Sequence, residues 1–330
     1  MKKIESQNCK DTYQCAPINI CFVGMRGTGK TSLLASLYKE LQDKSVDHFF
    51  PEFKTRNNLS KKLTEMTSVF KTTEHIGVAS GALEATMLPN VHTFNAQYDI
   101  PKNNKRFIFP FKFTDIPGEW YSAEEHQAEI KSYLTGSSIS FLTIDAPALM
   151  EGGAIHNLYN EPMMIRALYQ EVLSDLKDKH LVVIVLSRCE RYMQDTEKRQ
   201  ALYQQMEKEY GSFATSLRDN GVTVFSVAVQ TLGGVIFRRY NDKNEPVFVK
   251  VGEYSPKNCA TPLALALRHG MKASLAHLKA SNAWWFQKFL NTIGWSQDDL
   301  AQDAAANILN DLETKITSNA EGATFEIGRA

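Results

Sequence analysis

The sequence predicts an α/β fold with a mostly parallel sheet and helices packed on its faces. Apolar strand segments alternate with amphipathic helical segments over most of the 330 residues, which is the order found in parallel α/β sheets. In addition, residues 181–186 (LVVIVL) are apolar at every position, as expected of a parallel strand that is covered on both faces. These two observations favour one large α/β unit.

The composition is that of an ordinary globular protein, with 43% hydrophobic and 22% charged residues. The 37 basic and 37 acidic residues give zero net charge, so no general attraction to nucleic acid is expected. No apolar run reaches the roughly 18 residues of a membrane helix, and no apolar segment of a secretory signal follows Lys2 and Lys3. The five cysteines form no C-x-x-C pair. We therefore expect a cytoplasmic protein with reduced thiols and no integral membrane contact.

The first predicted strand, residues 18–23, runs directly into a glycine-rich loop at 24–31 (GMRGTGKT). The loop matches the pattern G-x-x-x-x-G-K-[ST] at every fixed position. In this pattern the glycines turn N–H groups toward phosphate, the lysine neutralises it, and the hydroxyl binds Mg²⁺. We therefore predict a P-loop within a three-layer fold, with Lys30 as a catalytic residue. The predicted nucleotide contacts of the loop are Gly24, Arg26, Gly27, Thr28, Gly29, Lys30, Thr31 and Ser32.

The remaining elements follow in an order that suits this fold. An amphipathic helix begins after the loop, and residues 44–90 are a polar insertion with one helical segment at 59–66. Predicted strands are 92–100 and 107–114 as an antiparallel hairpin, then 139–144, 181–186 and 222–229, with a surface hairpin at 235–255. Predicted helices are 161–176, 193–218 and 261–279. The chain thus divides into an N-terminal extension (1–17), a nucleotide-binding domain (18–280) and a helical C-terminal tail (281–330).

A second motif ends the predicted strand at 107–114. Residues 115–118 (DIPG) have the form D-x-x-G, and the carboxyl ends of parallel strands are where α/β sheets bind ligands. We predict that Asp115 holds the Mg²⁺ shell and that the Gly118 N–H reaches the γ-phosphate. D-x-x-G after a P-loop is the pattern of switch II, a segment that orders around the γ-phosphate.

The loop at 24–31, followed by a strand hairpin and then by residues 115–118, resembles the translation-factor-related (TRAFAC) class of P-loop GTPases. The segments DIPGEW at 115–120 and IDAPAL at 144–149 are similar to those of bacterial YcjX-like and double-GTPase proteins. The resemblance implies a Mg²⁺-dependent switch that hydrolyses GTP to GDP and phosphate and controls a protein effector. It also implies a mostly parallel sheet with one antiparallel edge hairpin strand. It does not name the effector, and homodimerisation stays open.

Two charged residues beside these motifs are candidates for catalysis. In such GTPases the residue after the D-x-x-G glycine often orients the attacking water, and here that residue is Glu119. Its charge is unfavourable near the γ-phosphate unless a cation screens it. The alternative is that Glu119 caps the switch helix or pairs with a lysine. Arg26 is either an arginine finger supplied by the same chain or a residue that faces solvent or a partner.

A threonine just before the first hairpin strand is expected to complete the metal site as switch I. Thr86 is chosen over Thr93, because Thr93 falls within the predicted strand. The predicted metal ligands are therefore Thr31, Thr86 and Asp115.

The base is expected to bind where guanine-specific proteins carry N/T-K-x-D, and this chain has Ser187-Arg188-Cys189-Glu190. Arg188 can stack over the base, and Glu190 can accept two hydrogen bonds from it. A backbone N–H after the next strand is expected to contact the base, either from residues 226–228, with Ala228 as the contact, or from residues 230–234. We favour GTP over ATP mainly on the resemblance, and an ordinary charged loop at 187–190 is the alternative. Asp145, at the end of an earlier strand, is interpreted as a carboxylate that fixes its loop.

The tail at 281–330 carries an aromatic cluster (Trp284, Trp285, Phe286, Phe289 and Trp295) that either packs on the core or docks a partner. Its three basic and seven acidic residues disfavour membrane binding. Three rival functions are weighed against the GTPase switch. They are a nucleotide-binding interaction module with little hydrolysis, an ATPase of the same fold, and a P-loop kinase, for which no acceptor lid is evident.

Overall fold

The computed structural model describes residues 2–4, 11–14, 17–43, 49–53, 64, 89–100, 105–176, 180–266, 268–269 and 324–325. Within these residues a mixed sheet separates two layers of helices, which confirms the predicted α/β fold with a mostly parallel sheet. The predicted helical segment at 59–66, apart from Thr64, and nearly all of the predicted C-terminal tail lie outside the described residues.

The main sheet has ten strands in the described part of the chain. They are β1 (Lys2–Ile4), β2 (Asp11–Gln14), β3 (Ile18–Val23), β4 (Phe49–Phe53), β5 (Asn90–Ile100), β6 (Lys105–Asp115), β7 (Ile139–Asp145), β8 (Leu181–Ser187), β9 (Thr223–Ala228) and β12 (Thr324–Phe325). The order is β1-β2-β6-β3-β7-β8-β9-β12, and β5 pairs with both β4 and β6. The central pairs, from β2–β6 to β8–β9, are parallel.

The predicted hairpin is present, since β5 and β6 pair antiparallel along their whole length, from Asn90 opposite Asp115 to Ile100 opposite Lys105. Three further antiparallel strands were not predicted. They are β1, which pairs with β2, β4, which pairs with β5, and β12, which pairs with β9. The second predicted hairpin forms a separate two-stranded sheet of β10 (Val235–Tyr240) and β11 (Pro246–Lys250).

The helices begin with α1 (Lys30–Asp43) directly after the glycine-rich loop. The others are α2 (Gln127–Gly136), α3 (Ala146–Glu151), α4 (Gly153–Asn160), α5 (Pro162–Val172), α6 (Thr196–Asp219) and α7, the helical residues 261–266. Helices α3 and α4 were not predicted. The Asp145 carboxylate accepts a hydrogen bond from the Ala148 N–H at the start of α3, and Pro147 suits its first turn.

Each face of the sheet carries its own core. On one face, α2, α5 and α6 cover alternate residues of the strands, among them Val182, Ile184 and Leu186 of β8. On the other face, α1 and α7 cover the intervening residues, among them Val183 and Val185. Because both faces are covered, β8 is apolar from Leu181 to Leu186. In the described residues, no helix is both long and apolar enough to cross a membrane.

We predict that the aromatic cluster under α1 is a main source of stability. Phe22 is fully buried, with its ring centroid 5.6 Å from that of Phe113 and 5.5 Å from that of Phe141. Phe22→Ala should lower the free energy of unfolding by about 3–5 kcal/mol, because it removes ring contacts and leaves a cavity. The measurement is urea unfolding followed by circular dichroism. The control is Leu158→Ala, whose side chain is 58% exposed. Equal losses for the two variants would contradict this account.

Candidate nucleotide site

The loop at 24–31 bends between the end of β3 and the start of α1, as the motif predicts. Gly24, Gly27 and Gly29 have positive φ angles of 146°, 80° and 93°, which side chains other than glycine rarely adopt. Gly24 is also sterically restricted, since an added Cβ would lie 2.4 Å from the Thr143 Oγ1 of β7. The glycine at this position is therefore required by both conformation and space.

Lys30 lies buried beneath this loop at the first residue of α1. Its Nζ donates hydrogen bonds to the carbonyl oxygens of Gly24 at 2.6 Å and Met25 at 3.1 Å. Burial lowers the pKa of Lys30, and the negative charges of Asp115 and Glu119 oppose that shift. The ammonium group is thus placed inside the loop, where it can neutralise a bound anion.

A set of hydroxyl groups ties the loop to the ends of two central strands. Thr28 Oγ1 donates to the Met25 carbonyl at 2.9 Å and lies 2.9 Å from Thr143 Oγ1 of β7. The Ser187 hydroxyl at the end of β8 donates to the Thr28 carbonyl at 2.7 Å. Thr143 was not identified from the sequence. A hydroxyl side chain among the apolar residues at 141–144 was the available signal.

The two predicted metal ligands that the structure describes are adjacent. The Thr31 Oγ1 donates to Asp115 Oδ2 at 2.8 Å, and Asp115 is buried at the end of β6. The third predicted ligand, Thr86, lies outside the described residues, and its rival Thr93 lies in β5 opposite Lys112. No group of three or more His, Cys, Asp or Glu side chains among the described residues could hold a metal ion. A hydroxyl and a single carboxylate suit Mg²⁺, which usually takes few protein ligands and completes its shell with phosphates and water.

The segment after β6 packs against the glycine-rich loop. A Cβ added to Gly118 would lie 2.1 Å from the Arg26 backbone nitrogen and 2.4 Å from its Cα. The next residue forms an ion pair with the same loop residue, with 3.2 Å between Arg26 Nε and Glu119 Oε1. The structure therefore brings Arg26, Gly118 and Glu119 together. Glu119 pairs with this arginine and not with the lysine that was the alternative.

Short 3₁₀ turns at Gly118–Ser122 and Glu124–His126 carry this segment to α2. Tyr121 is buried, and its hydroxyl donates to the Phe22 carbonyl of β3 at 3.4 Å. Trp120 stacks on His126 with 3.9 Å between ring centroids. Tyr121 was not singled out from the sequence, because an aromatic residue in a loop gives no sign of what it will contact.

The predicted base loop lies at the end of β8, beside the glycine-rich loop. Arg188 has a positive φ of 59°, pairs with the buried Asp145 carboxylate, and lies over the Phe248 ring at 5.5 Å from its centroid. Asp145 also caps α3, so it fixes its loop as interpreted from the sequence. Ala228 is the buried last residue of β9.

Glu190 is buried, and its Oε1 accepts hydrogen bonds from the N–H groups of Leu232 at 2.8 Å and Gly233 at 3.1 Å. Burial raises the pKa of Glu190, and these backbone N–H groups oppose the shift. The carboxylate thus joins the loop after β8 to the loop after β9.

A model of the Double-GTPase 2 family matches residues 18–233, which is more than half of the chain. No curated protein matches the chain.

Solved structures that are similar to the chain include three GTPase domains. The GTPase-like domain of Ski7 from S. cerevisiae, bound to GDP and inorganic phosphate, is 16% identical over 69% of this chain and 45% of that chain, with a TM-score of 0.38. The G domain of the FeoB iron transporter from T. maritima is 14% identical over 66% of this chain and 89% of that chain, with a TM-score of 0.28. A small COPII coat GTPase SAR1 from Encephalitozoon cuniculi, in complex with GDP, is 16% identical over 64% of this chain and 69% of that chain, with a TM-score of 0.30. The chain spans less than half the length of the Ski7 chains that it matches.

The family match covers the glycine-rich loop, the D-x-x-G segment and the base loop described above. This chain therefore belongs to the Double-GTPase 2 family, and its glycine-rich loop has the sequence and backbone conformation of a P-loop.

Proposed function

We propose that the protein is a Mg²⁺-dependent GTPase that hydrolyses GTP to GDP and phosphate and acts as a switch on a protein partner. The observation that carries this proposal is the 2.8 Å hydrogen bond between Thr31 Oγ1 and Asp115 Oδ2. It places a P-loop hydroxyl beside a D-x-x-G carboxylate, which is the pair that holds Mg²⁺ against the β- and γ-phosphates in P-loop hydrolases.

In this proposal Thr31 and Asp115 would hold Mg²⁺, with Thr86 joining them from switch I. The ion supplies positive charge that neutralises the phosphates during transfer. Lys30 would add a second positive charge from beneath the loop. Its ammonium group donates hydrogen bonds there to the Gly24 and Met25 carbonyl oxygens. The backbone N–H groups of residues 27–32 and of Gly118 would donate to the phosphate oxygens.

The contact between Arg26 and Glu119 supports a role for both residues in hydrolysis. A carboxylate beside the γ-phosphate is repelled unless a cation screens it, and Arg26 provides that cation at 3.2 Å. The pair is partly exposed, so it contributes little to folding stability. We therefore assign Glu119 to the orientation of the attacking water and Arg26 to the screening of its charge.

The switch itself would consist of Thr86 and residues 115–120, ordered by the γ-phosphate and released on hydrolysis. A protein effector would sense the difference between the two states. A cytoplasmic location is part of the proposal. It is supported by the free thiols of Cys21, Cys189 and Cys259, all buried in the described structure, since reduced thiols are typical of that compartment.

Removal of the P-loop lysine tests nucleotide binding and hydrolysis together. Lys30→Ala should weaken GTP binding by at least about 100-fold and abolish steady phosphate release, because it removes the buried cation of the loop. Isothermal titration and a phosphate-release assay measure the two effects. Lys208→Ala is the control, since that side chain is 73% exposed. Tight GTP binding by the unmodified protein without phosphate release would favour the rival interaction module.

A methyl group at Gly118 should separate binding from hydrolysis. Because its Cβ would overlap the Arg26 backbone, Gly118→Ala must push the switch segment away from the P-loop. We expect GDP affinity to be retained and single-turnover hydrolysis to fall by about 100-fold, since small displacements of catalytic groups are costly. Gly136→Ala is the matched control, because nothing lies within 4 Å of its added Cβ. Unchanged hydrolysis in Gly118→Ala would mean that the observed contact is not part of the active arrangement.

The roles of Glu119 and Arg26 are separable in a double-mutant cycle. Glu119→Ala should lower single-turnover hydrolysis by about 100-fold while leaving GTP affinity nearly unchanged. If Arg26 acts by screening Glu119, Arg26→Ala should lower the rate in the unmodified protein and have no further effect in Glu119→Ala. An equal loss in both backgrounds would instead identify Arg26 as an arginine finger. Glu125→Ala serves as the control, with a side chain 80% exposed.

A further inference from the structure

The base loop offers fewer free hydrogen-bond acceptors than its sequence suggests. Ser187 begins this loop and anchors it to the Thr28 carbonyl of the P-loop, so the residues that follow lie beside a nucleotide whose phosphates occupy that loop. Two carboxylates are present there, those of Asp145 and Glu190. A base can use only a carboxylate oxygen that the protein does not already engage.

Both carboxylate oxygens of Asp145 already have partners within the protein. Its Oδ1 accepts from the Ala148 N–H at 2.8 Å, and its Oδ2 pairs with Arg188. The same ion pair, together with the Phe248 ring, holds the Arg188 guanidinium. Asp145 is also fully buried, so it supplies no acceptor to a base, and the Arg188 guanidinium has only donors.

One of the two Glu190 carboxylate oxygens, Oε1, also has partners within the protein. The hydrogen bonds from the Leu232 and Gly233 N–H groups both fall on Oε1. A carboxylate oxygen has two lone-pair sites, so these bonds use the acceptor capacity of Oε1. Oε2 is the oxygen that neither bond uses.

The loop that donates these bonds is itself fixed. Leu232 accepts a backbone hydrogen bond from Ser255, and a Cβ added to Gly233 would lie 1.7 Å from the Ser255 carbonyl oxygen. The Ser36 hydroxyl of α1 donates to the Thr231 carbonyl at 2.6 Å. Because the loop is held from both sides, its N–H groups stay on Oε1, and the carboxylate is not free to present both oxygens.

We propose, on the basis of the GTPase function above, that Glu190 reads a 6-oxopurine through Oε2 alone. That single oxygen accepts the N1–H, and the 2-amino group of guanine goes unread. The nucleotide site then accepts hypoxanthine as well as guanine, so inosine triphosphate (ITP) binds as GTP does. Adenine is rejected, because its N1 is an acceptor that faces a carboxylate acceptor.

The first test needs no variant. GTP, ITP and ATP are each titrated against the fluorescent probe mant-GDP bound to the full chain in the presence of Mg²⁺. We expect GTP and ITP to agree within about threefold and ATP to be at least about 100-fold weaker, since only adenine lacks the donor that the site reads. GTP binding at least about tenfold tighter than ITP would show that the 2-amino group is read, and would overturn this inference while leaving the GTPase proposal intact. Failure of all three nucleotides to compete would overturn both.

The second test inverts the preference of the site. Glu190→Gln keeps a carbonyl oxygen for Leu232 and Gly233 and replaces Oε2 by an NH₂ donor, which suits the N1 of adenine and opposes the N1–H of inosine. We expect the ratio of ITP to ATP affinity to fall by at least about tenfold. Glu197→Gln, at an exposed position in α6, is the matched control. A merely structural Glu190 would lower the melting temperature without changing this ratio, and that result would overturn the proposal.

Discussion

Lys30 carries a positive charge that is buried beneath the P-loop, and a buried charge is costly unless oxygen atoms surround it. The Gly24 and Met25 carbonyls meet this requirement directly, and Asp115 and Glu119 meet it through their charge. The loop turns its backbone around the ammonium group by adopting positive φ angles at three glycines. The glycines and the lysine of the motif therefore satisfy one physical requirement together, and the same arrangement prepares the loop to receive phosphate.

The P-loop is also held in place by hydrogen bonds to the sheet. Thr143 of β7 and Ser187 of β8 hold the P-loop through Thr28, so two neighbouring interior strands of the sheet set the position of the loop. Both faces of these strands are covered, each by its own core. The close approach of Gly118 to the Arg26 backbone also makes residues 115–120 direct neighbours of the P-loop. In the proposed switch, a change in the phosphates would reach residues 115–120 through this backbone contact.

The strands and the phosphate motif were predictable because their signals are local. Apolar runs placed the strands from β5 to β9 within about two residues. The motif spacing singled out Lys30, Thr31, Asp115 and Gly118, which lie around one loop in the structure. Helices α3 and α4 were missed because residues 146–160 contain adjacent glycines at 152 and 153, and because α3 depends on a cap from Asp145. The partners of Arg26 and Arg188 could not be predicted either. A long side chain reaches many neighbours, and only the tertiary arrangement selects Glu119 for one and Asp145 with Phe248 for the other.

Helix α1 contacts both the P-loop and the loop that orients Glu190. Lys30 and Thr31 begin this helix. Two turns further on, its Ser36 holds the loop whose N–H groups occupy Glu190 Oε1. At its far end, Glu40 accepts from the Ala260 N–H that precedes α7. Any shift of α1 that accommodates phosphate must therefore move the loop that orients Glu190, because the Ser36 bond is buried and costly to leave unmade. In the proposed GTPase, the base loop would for this reason move together with the P-loop, and its departure from the usual guanine motif would change the base contact without loosening the phosphate site.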